Sequence, residues 1–178
     1  MPNTFTLISA VTVGSGGQAA IDFTSIPSTY TDLVVKYSLR TDNANIFSLT
    51  YLYFNGSQTS YTAAIQLEGT GSGVSSSTFA TTYLYGDDGV GNSSTASTFG
   101  NGELYIPNYA GSNNKSTSTD SVGENNATTA YSQLIAGLWS NSAAINRITF
   151  STSATSLTGS ATKFVQYSTV YLYGIVKS

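Results

Sequence analysis

The sequence predicts an all-β chain, folded as a single antiparallel β-sandwich of jelly-roll-like type over residues 1–178, and three observations carry that expectation. Short apolar runs alternate with period two, the mark of a strand with one face on a core. Clusters of Gly, Asn, Asp and Ser separate these runs at roughly eight- to twelve-residue intervals, as in sandwiches and barrels. A helical period is weak throughout, with at most one turn suggested over 125–133.

The clearest stretch is 21–40, which reads as strand, turn, strand. From Asp32 onward Leu33, Val35, Tyr37 and Leu39 share one parity, against Lys36, Ser38 and Arg40 on the other, with Val34 the one interruption. Pro27 and Ser28 break the chain before it. Ahead lie a strand over Phe5 to Val13, a turn at Gly14 to Gly17, and a short strand over Gln18 to Phe23. Ser48 to Phe54 reads as a strand ending at Asn55-Gly56, a hairpin signal because both residues tolerate positive φ, with Tyr61 to Leu67 as its return arm. Gly69 to Ser77 and Asp87 to Ser97 read as loops, with a strand over Thr78 to Tyr85 between them. Glu103 to Ile106 is a short strand stopped by Pro107. The small residues of Lys115 to Val122 suggest an edge strand. Strands over Ser132 to Trp139, Arg147 to Ser151 and Phe164 to Val176 close the pattern.

The composition narrows the function. Charged residues are 8% of the chain and close to a third of it is Ser or Thr, so the polar surface is mostly neutral. Such a surface has little electrostatic repulsion to keep copies apart, which suits a protein that sits in an assembly. Six scattered Lys and Arg against nine Asp and Glu offer no basic stripe, so no nucleic-acid partner is expected. With no Cys and no His, the commonest thiolate and imidazole metal ligands and the commonest general base are missing; no cofactor and no enzymatic activity are expected. The start, Met-Pro-Asn-Thr-Phe, is unlike a secretory leader and no window is long and apolar enough for a membrane helix, so cytosolic synthesis without a membrane partner is expected.

One phrase recurs: Tyr51-Leu52-Tyr53, Tyr83-Leu84-Tyr85 and Tyr171-Leu172-Tyr173, each in an expected strand. Alternation puts Leu and Tyr on opposite faces, so both faces of these strands are apolar or aromatic. Tyr51, Tyr53, Tyr83, Tyr85, Tyr171 and Tyr173 are therefore candidates for an assembly interface, where aromatic rings typically dominate binding. The plainer reading is that Tyr is a favoured strand residue that tolerates exposure or caps a core edge.

Other candidate sites are weaker. Asp87-Asp88-Gly89 with Asn92 could offer oxygens to Ca²⁺ but lacks an EF-hand spacing and reads better as a turn. Asp120 and Glu124 imitate an acid and base pair without any sign of a cleft. The Asn-X-Ser/Thr matches are coincidences in a chain this rich in those residues. Trp139 could stack on a sugar or equally fill a core.

Several segments resemble proteins of tailed phages, in particular those of cyanobacterial and other aquatic hosts. They are Ile-Asp-Phe-Thr-Ser-Ile-Pro-Ser-Thr-Tyr-Thr-Asp-Leu at 21–33, Gly-Glu-Leu-Tyr-Ile-Pro-Asn-Tyr at 102–109, Ile-Ala-Gly-Leu-Trp-Ser at 135–140, Phe-Val-Gln-Tyr-Ser-Thr at 164–169 and Leu-Tyr-Gly-Ile at 172–175. The resemblance implies a jelly-roll virion protein without catalytic residues. The expected role is a capsid decoration (cement) protein on the outer surface of the head, made in the host cytoplasm, homotrimeric, with the major capsid protein as partner. The alternative is a carbohydrate- or receptor-binding fibre module, in which Tyr109 or Trp139 meets a glycan.

Overall fold

The computed structural model describes residues 4–62, 64–79 and 82–176, and of residue 88 the backbone alone. Among them are twelve strands: β1 (Phe5–Thr12), β2 (Ala20–Phe23), β3 (Asp32–Leu39), β4 (Phe47–Phe54), β5 (Ile65–Gly69), β6 (Val74–Thr78), β7 (Leu84–Val90), β8 (Gly100–Ile106), β9 (Lys115–Glu124), β10 (Ala130–Trp139), β11 (Ile148–Ser151) and β12 (Thr169–Ile175). All pair antiparallel, in an eight-stranded sheet ordered β1-β12-β3-β8-β9-β10-β5-β6 and a four-stranded sheet ordered β2-β11-β4-β7.

Set aside the hairpins β5–β6 and β9–β10, and eight strands remain in two sheets of four. Their pairs run β1 with β12, β2 with β11, β3 with β8 and β4 with β7. This is one long antiparallel ribbon rolled so that β12 enters between β1 and β3, and β11 between β2 and β4. A double Greek key of that kind is a jelly roll. Both extra hairpins add to the same sheet and lengthen it well past its partner.

The core fills the space between the sheets where both are present. Leu33, Val35, Tyr37 and Leu39 of β3, Leu104 and Ile106 of β8 and Val170 and Leu172 of β12 meet Ile21 and Phe23 of β2, Leu52 and Phe54 of β4, Leu84 of β7 and Ile148 and Phe150 of β11. The alternation read in β3 is thus the inward face of a sheet. Val34, out of phase, is buried on the opposite face between its register partners Tyr173 and Tyr105.

Several expectations fail, each for an identifiable reason. The Asn55-Gly56 turn forms with positive φ at both residues, but β5, which holds the end of the expected return arm, does not pair with β4; residue 63 lies outside the described residues. The backbone N–H of Phe54 donates to the Tyr61 hydroxyl (2.7 Å), and β4 pairs instead with β11 and β7. The Ser-rich segment 69–77 is not a loop: it holds the end of β5, a tight turn and most of β6. β7 begins at Leu84 and runs through Asp87 to Val90, so the 78–85 strand is displaced towards the C-terminus; residues 80 and 81 lie outside the described residues. β9 is no edge strand but lies between β8 and β10. Over 125–129 there is a turn in place of a helix, held by the Asn125 side-chain oxygen accepting from the N–H groups of Ala127 and Thr129.

Two buried cations hold loops through carbonyls rather than carboxylates. The Arg40 guanidinium donates to the carbonyl oxygens of Asn92, Ser94, Thr95 and Thr98 and pins 92–98, the part of the expected 87–97 loop that follows β7. Lys115 donates to Gly111 (2.8 Å), Asn113 and Asn141. Burial lowers the pKa of both side chains.

Candidate docking face

Among the described residues, the outward face of the eight-stranded sheet carries most of the exposed large hydrophobic side chains, and register fixes what it displays. One row across the strands runs Ala10, Tyr171, Lys36, Glu103, Asp120, Leu134, Leu67, Ser76. The next runs Leu7, Tyr173, Val34, Tyr105, Ser118, Ala136, Ile65, Thr78. Eight strands at about 4.8 Å spacing make this a plate on the order of 35 Å wide.

The plate has three zones. At the β1–β12 end Phe5 and Leu7 are exposed, and the Phe5 ring meets Tyr173 edge-on at 6.3 Å. In the middle, the Lys36 ammonium lies 2.6 Å from the Glu103 carboxylate. That hydrogen bond, with the charge of Glu103, holds the Lys36 pKa above its ordinary value. Asp120 stands opposite Glu103 on the neighbouring strand, so two carboxylates face one cation. A shallow depression here is lined by Lys36, Asn101, Glu103, Asp120, Val122 and Leu134.

At the far end, on β10 and β5, Leu134 is 59% exposed, Ile65 56% and Leu67 48%. The opposite face of the same two strands carries Gln133 and Gln66, which are 2% and 3% exposed. Their side chains are tied together: Gln66 and Gln133 both donate to a Glu68 carboxylate oxygen (3.1 and 2.9 Å), and the Ser121 hydroxyl donates to Gln133 (3.2 Å). Polarity is inverted around this pair: the amides are inside and satisfied, next to the buried Ile135, whereas Ile65, Leu67 and Leu134 are outside and exposed.

The expected site residues fall on different surfaces. Tyr171 and Tyr173 lie on the plate, exposed and half-buried. Tyr51 and Tyr83 are half-buried, edge-on to each other at 4.7 Å, and packed against the core. Tyr53 and Tyr85 are buried within the chain, which corrects their reading as interface residues. The Tyr53 hydroxyl donates to the Ser153 carbonyl (2.8 Å), and Tyr85 stacks on Phe79 at 4.2 Å beside Ala64 and Ile135. The cover for these two rings comes from the same chain: the segment after β11 over Tyr53, and Phe79, Ala64 and β10 over Tyr85.

Both glycan-contact candidates are corrected as well. Tyr109 is buried, its hydroxyl donating to the Pro27 carbonyl, and Trp139 is buried against Phe54 and Tyr61. Neither ring can present a face to a sugar. Asp120 and Glu124 share the outward side of β9 four residues apart, about 13 Å along a strand, which is too far for a carboxylate pair acting on one glycosidic bond. Among the described residues no group of three or more Asp or Glu side chains could hold a metal ion. The residues that sequence reasoning missed are Ile65, Leu67 and Leu134. Ile65-Gln66-Leu67-Glu68 alternates cleanly, but alternation gives the two sides of a strand without saying which side faces in.

No family model, curated protein or solved structure matches the chain.

Proposed function

We propose that this jelly roll is a structural subunit of a tailed-phage virion, a decoration protein that lies flat on the outer surface of the assembled head through the β10–β5 end of its plate. The observation that carries the reading is the inverted polarity there. Covering a Leu or Ile side chain that is about half exposed stabilises a complex by roughly 1 kcal/mol. Three such side chains in contiguous register make an apolar patch, with a polar rim of Ser76, Thr78 and Ser118 and, beside Leu134, Asp120. The low overall charge and the phage-like segments agree with this role.

The mechanism is mass action. A subunit that binds neighbouring shell proteins only in their assembled arrangement lowers the free energy of the lattice relative to its separated parts. The major capsid protein is the partner. The glycan-binding alternative loses its two aromatic candidates to the core.

The test pairs Leu67→Asp with Leu134→Lys, so that charges alternate across Asp120 and positions 134 and 67, and measures binding to purified heads of the encoding phage, with circular dichroism as a check on folding. Both side chains point to solvent, so the double variant is expected to fold and to lose head binding. Undiminished binding, or localisation of the protein to a few copies at the tail vertex by cryo-electron microscopy, would overturn the proposal.

A further inference from the structure

We infer that β6 pairs with β6 of a second copy, antiparallel about a two-fold axis through Ser76, joining two eight-stranded sheets edge to edge. The backbone supplies the first reason. Thr70 N–H to Gly73 O (3.0 Å) and Phe79 N–H to Ala64 O (2.9 Å) bracket the β5–β6 ladder. Alternation then turns the backbone groups of Ser75 and Ser77 towards β5, and those of Val74, Ser76 and Thr78 to the free side. Among the described residues no strand occupies that side.

A comparison of edges supplies the second. Unpaired edges invite pairing unless a charge, a bulge, a proline or a cover blocks them. β1 carries an irregularity between Leu7 and Ser9. β2 is four residues long and bears Asp22, engaged by Arg147 at 2.5 Å. The end of β7 is occupied, with Thr41 N–H bonded to Val90 O (2.8 Å). β6 reads Val-Ser-Ser-Ser-Thr, all exposed, with Val74 at 76%, and has none of these devices.

Self-pairing is also what the side chains and charges favour. Antiparallel pairing about Ser76 sets serine against serine and Val74 against Thr78, a β-branched pair suited to a sheet. The nearest outward carboxylate, Asp120, is on β9, three strands in from the edge. Across the joined sheets the two Asp120 side chains stand about 34 Å apart, far beyond the roughly 8 Å screening length of physiological salt. Stacking two copies face to face would instead set Glu103 and Asp120 of one over those of the other. Edge pairing also continues the row Leu134, Leu67, Ser76 into its mirror, so the apolar ends of two plates become one surface.

An interface of one short strand pair belongs with weak contacts burying less than about 1,200 Å². The dimer is therefore concentration-dependent, and crowding of copies on a common surface favours it.

The chain has no cysteine, so single introduced thiols report the pairing directly. Facing residues in a hydrogen-bonded antiparallel pair have Cα atoms about 5.5 Å apart, within the roughly 4.4–6.8 Å that a disulfide spans. Ser76→Cys is expected to give a covalent dimer under mild oxidation. Val74→Cys alone and Thr78→Cys alone should stay monomeric, whereas a mixture of those two should cross-link. Ser76→Pro, which removes a free-side N–H from an exposed strand, should abolish the concentration-dependent mass increase of the wild type in sedimentation. Equal cross-linking at all three positions, none at Ser76→Cys, or a trimer as the associated species would overturn the inference. No head is needed, so failure here leaves the docking proposal standing, and failure to bind heads leaves the pairing standing.

Discussion

The two halves of the large sheet obey opposite rules. Over β1, β12, β3 and β8 the inward face is aliphatic and aromatic and meets a second sheet across a shared core. Over β9, β10 and β5 the inward face carries Thr117, Thr119, Ser121, Gln133 and Gln66, all buried, with β7 and a small cluster around Tyr85 as its cover. Ile135 and Trp139 are also buried on this side, but Ile65, Leu67, Val122 and Leu134 are exposed on the outer one. The first half holds the molecule together, and the second presents a surface. The difference teaches that in a jelly roll extended past its partner sheet the hydrophobic alternation no longer says which side of a strand faces the core.

Substitutions at matched depths should separate the halves most sharply. Phe150 is fully buried and meets Tyr37 edge-on at 5.4 Å. Phe150→Ala should cost about 3–5 kcal/mol through the cavity left behind, lowering Tm by roughly 6–20 °C for a domain this size, as read by calorimetry. A loss below about 1 kcal/mol would mean that the two-sheet half is not where stability resides.

Alkaline pH probes the same half more gently. Burial pushes the Tyr53 phenol up to about 12 and raises Tyr37 and Tyr61 too. Because these folded-state values exceed the ordinary value near 10, the unfolded state loses its protons first. Their contribution is intact below pH 10 and declines as pH rises through the window from about 10 to 12. Lys115, lowered by burial, acts in the opposite sense. Denaturant midpoints measured from pH 8 to 12 should fall above pH 10 while phenolate absorbance, followed in parallel, rises. A flat profile would place these phenols in contact with water.

The smallest effect belongs to the extension. Leu67→Ser and Leu134→Ser remove exposed side chains, and each should change folding stability by no more than about 0.5 kcal/mol in urea unfolding. A loss of 2 kcal/mol or more from either would make the outer face part of the protomer's own packing and erase the contrast between the halves.

What could be read in advance follows the same division. The alternation of Leu33 to Leu39 placed β3 correctly because a two-sided apolar core leaves a period-two record. Even the break at Val34 had a cause, the two flanking tyrosines. The turn at Asn55-Gly56 was legible because positive φ is a local requirement, but its partner strand was not, since pairing depends on residues distant in the chain. β9 and β6 were misread for a compositional reason: strands built of Ser, Thr and Gly carry almost no hydrophobic signal. The aromatic candidates sorted by what lies above them, which composition cannot say. Tyr171 is exposed and Tyr173 half-buried beside Phe5, whereas Tyr53, Tyr85, Tyr109 and Trp139 are buried within the chain.

The threading of β12 between β1 and β3, and of β11 between β2 and β4, bears on how the molecule is born. During synthesis both sheets wait with a vacant slot, because the strands that fill those slots leave the ribosome after all the others. The nascent chain thus exposes unpaired strands late into translation, and closure is expected to be slow, as it is for topologies dominated by distant contacts. A ribosome-stalled chain lacking only β11 and β12 should remain protease-sensitive, with emergence of those two strands bringing resistance to both sheets together.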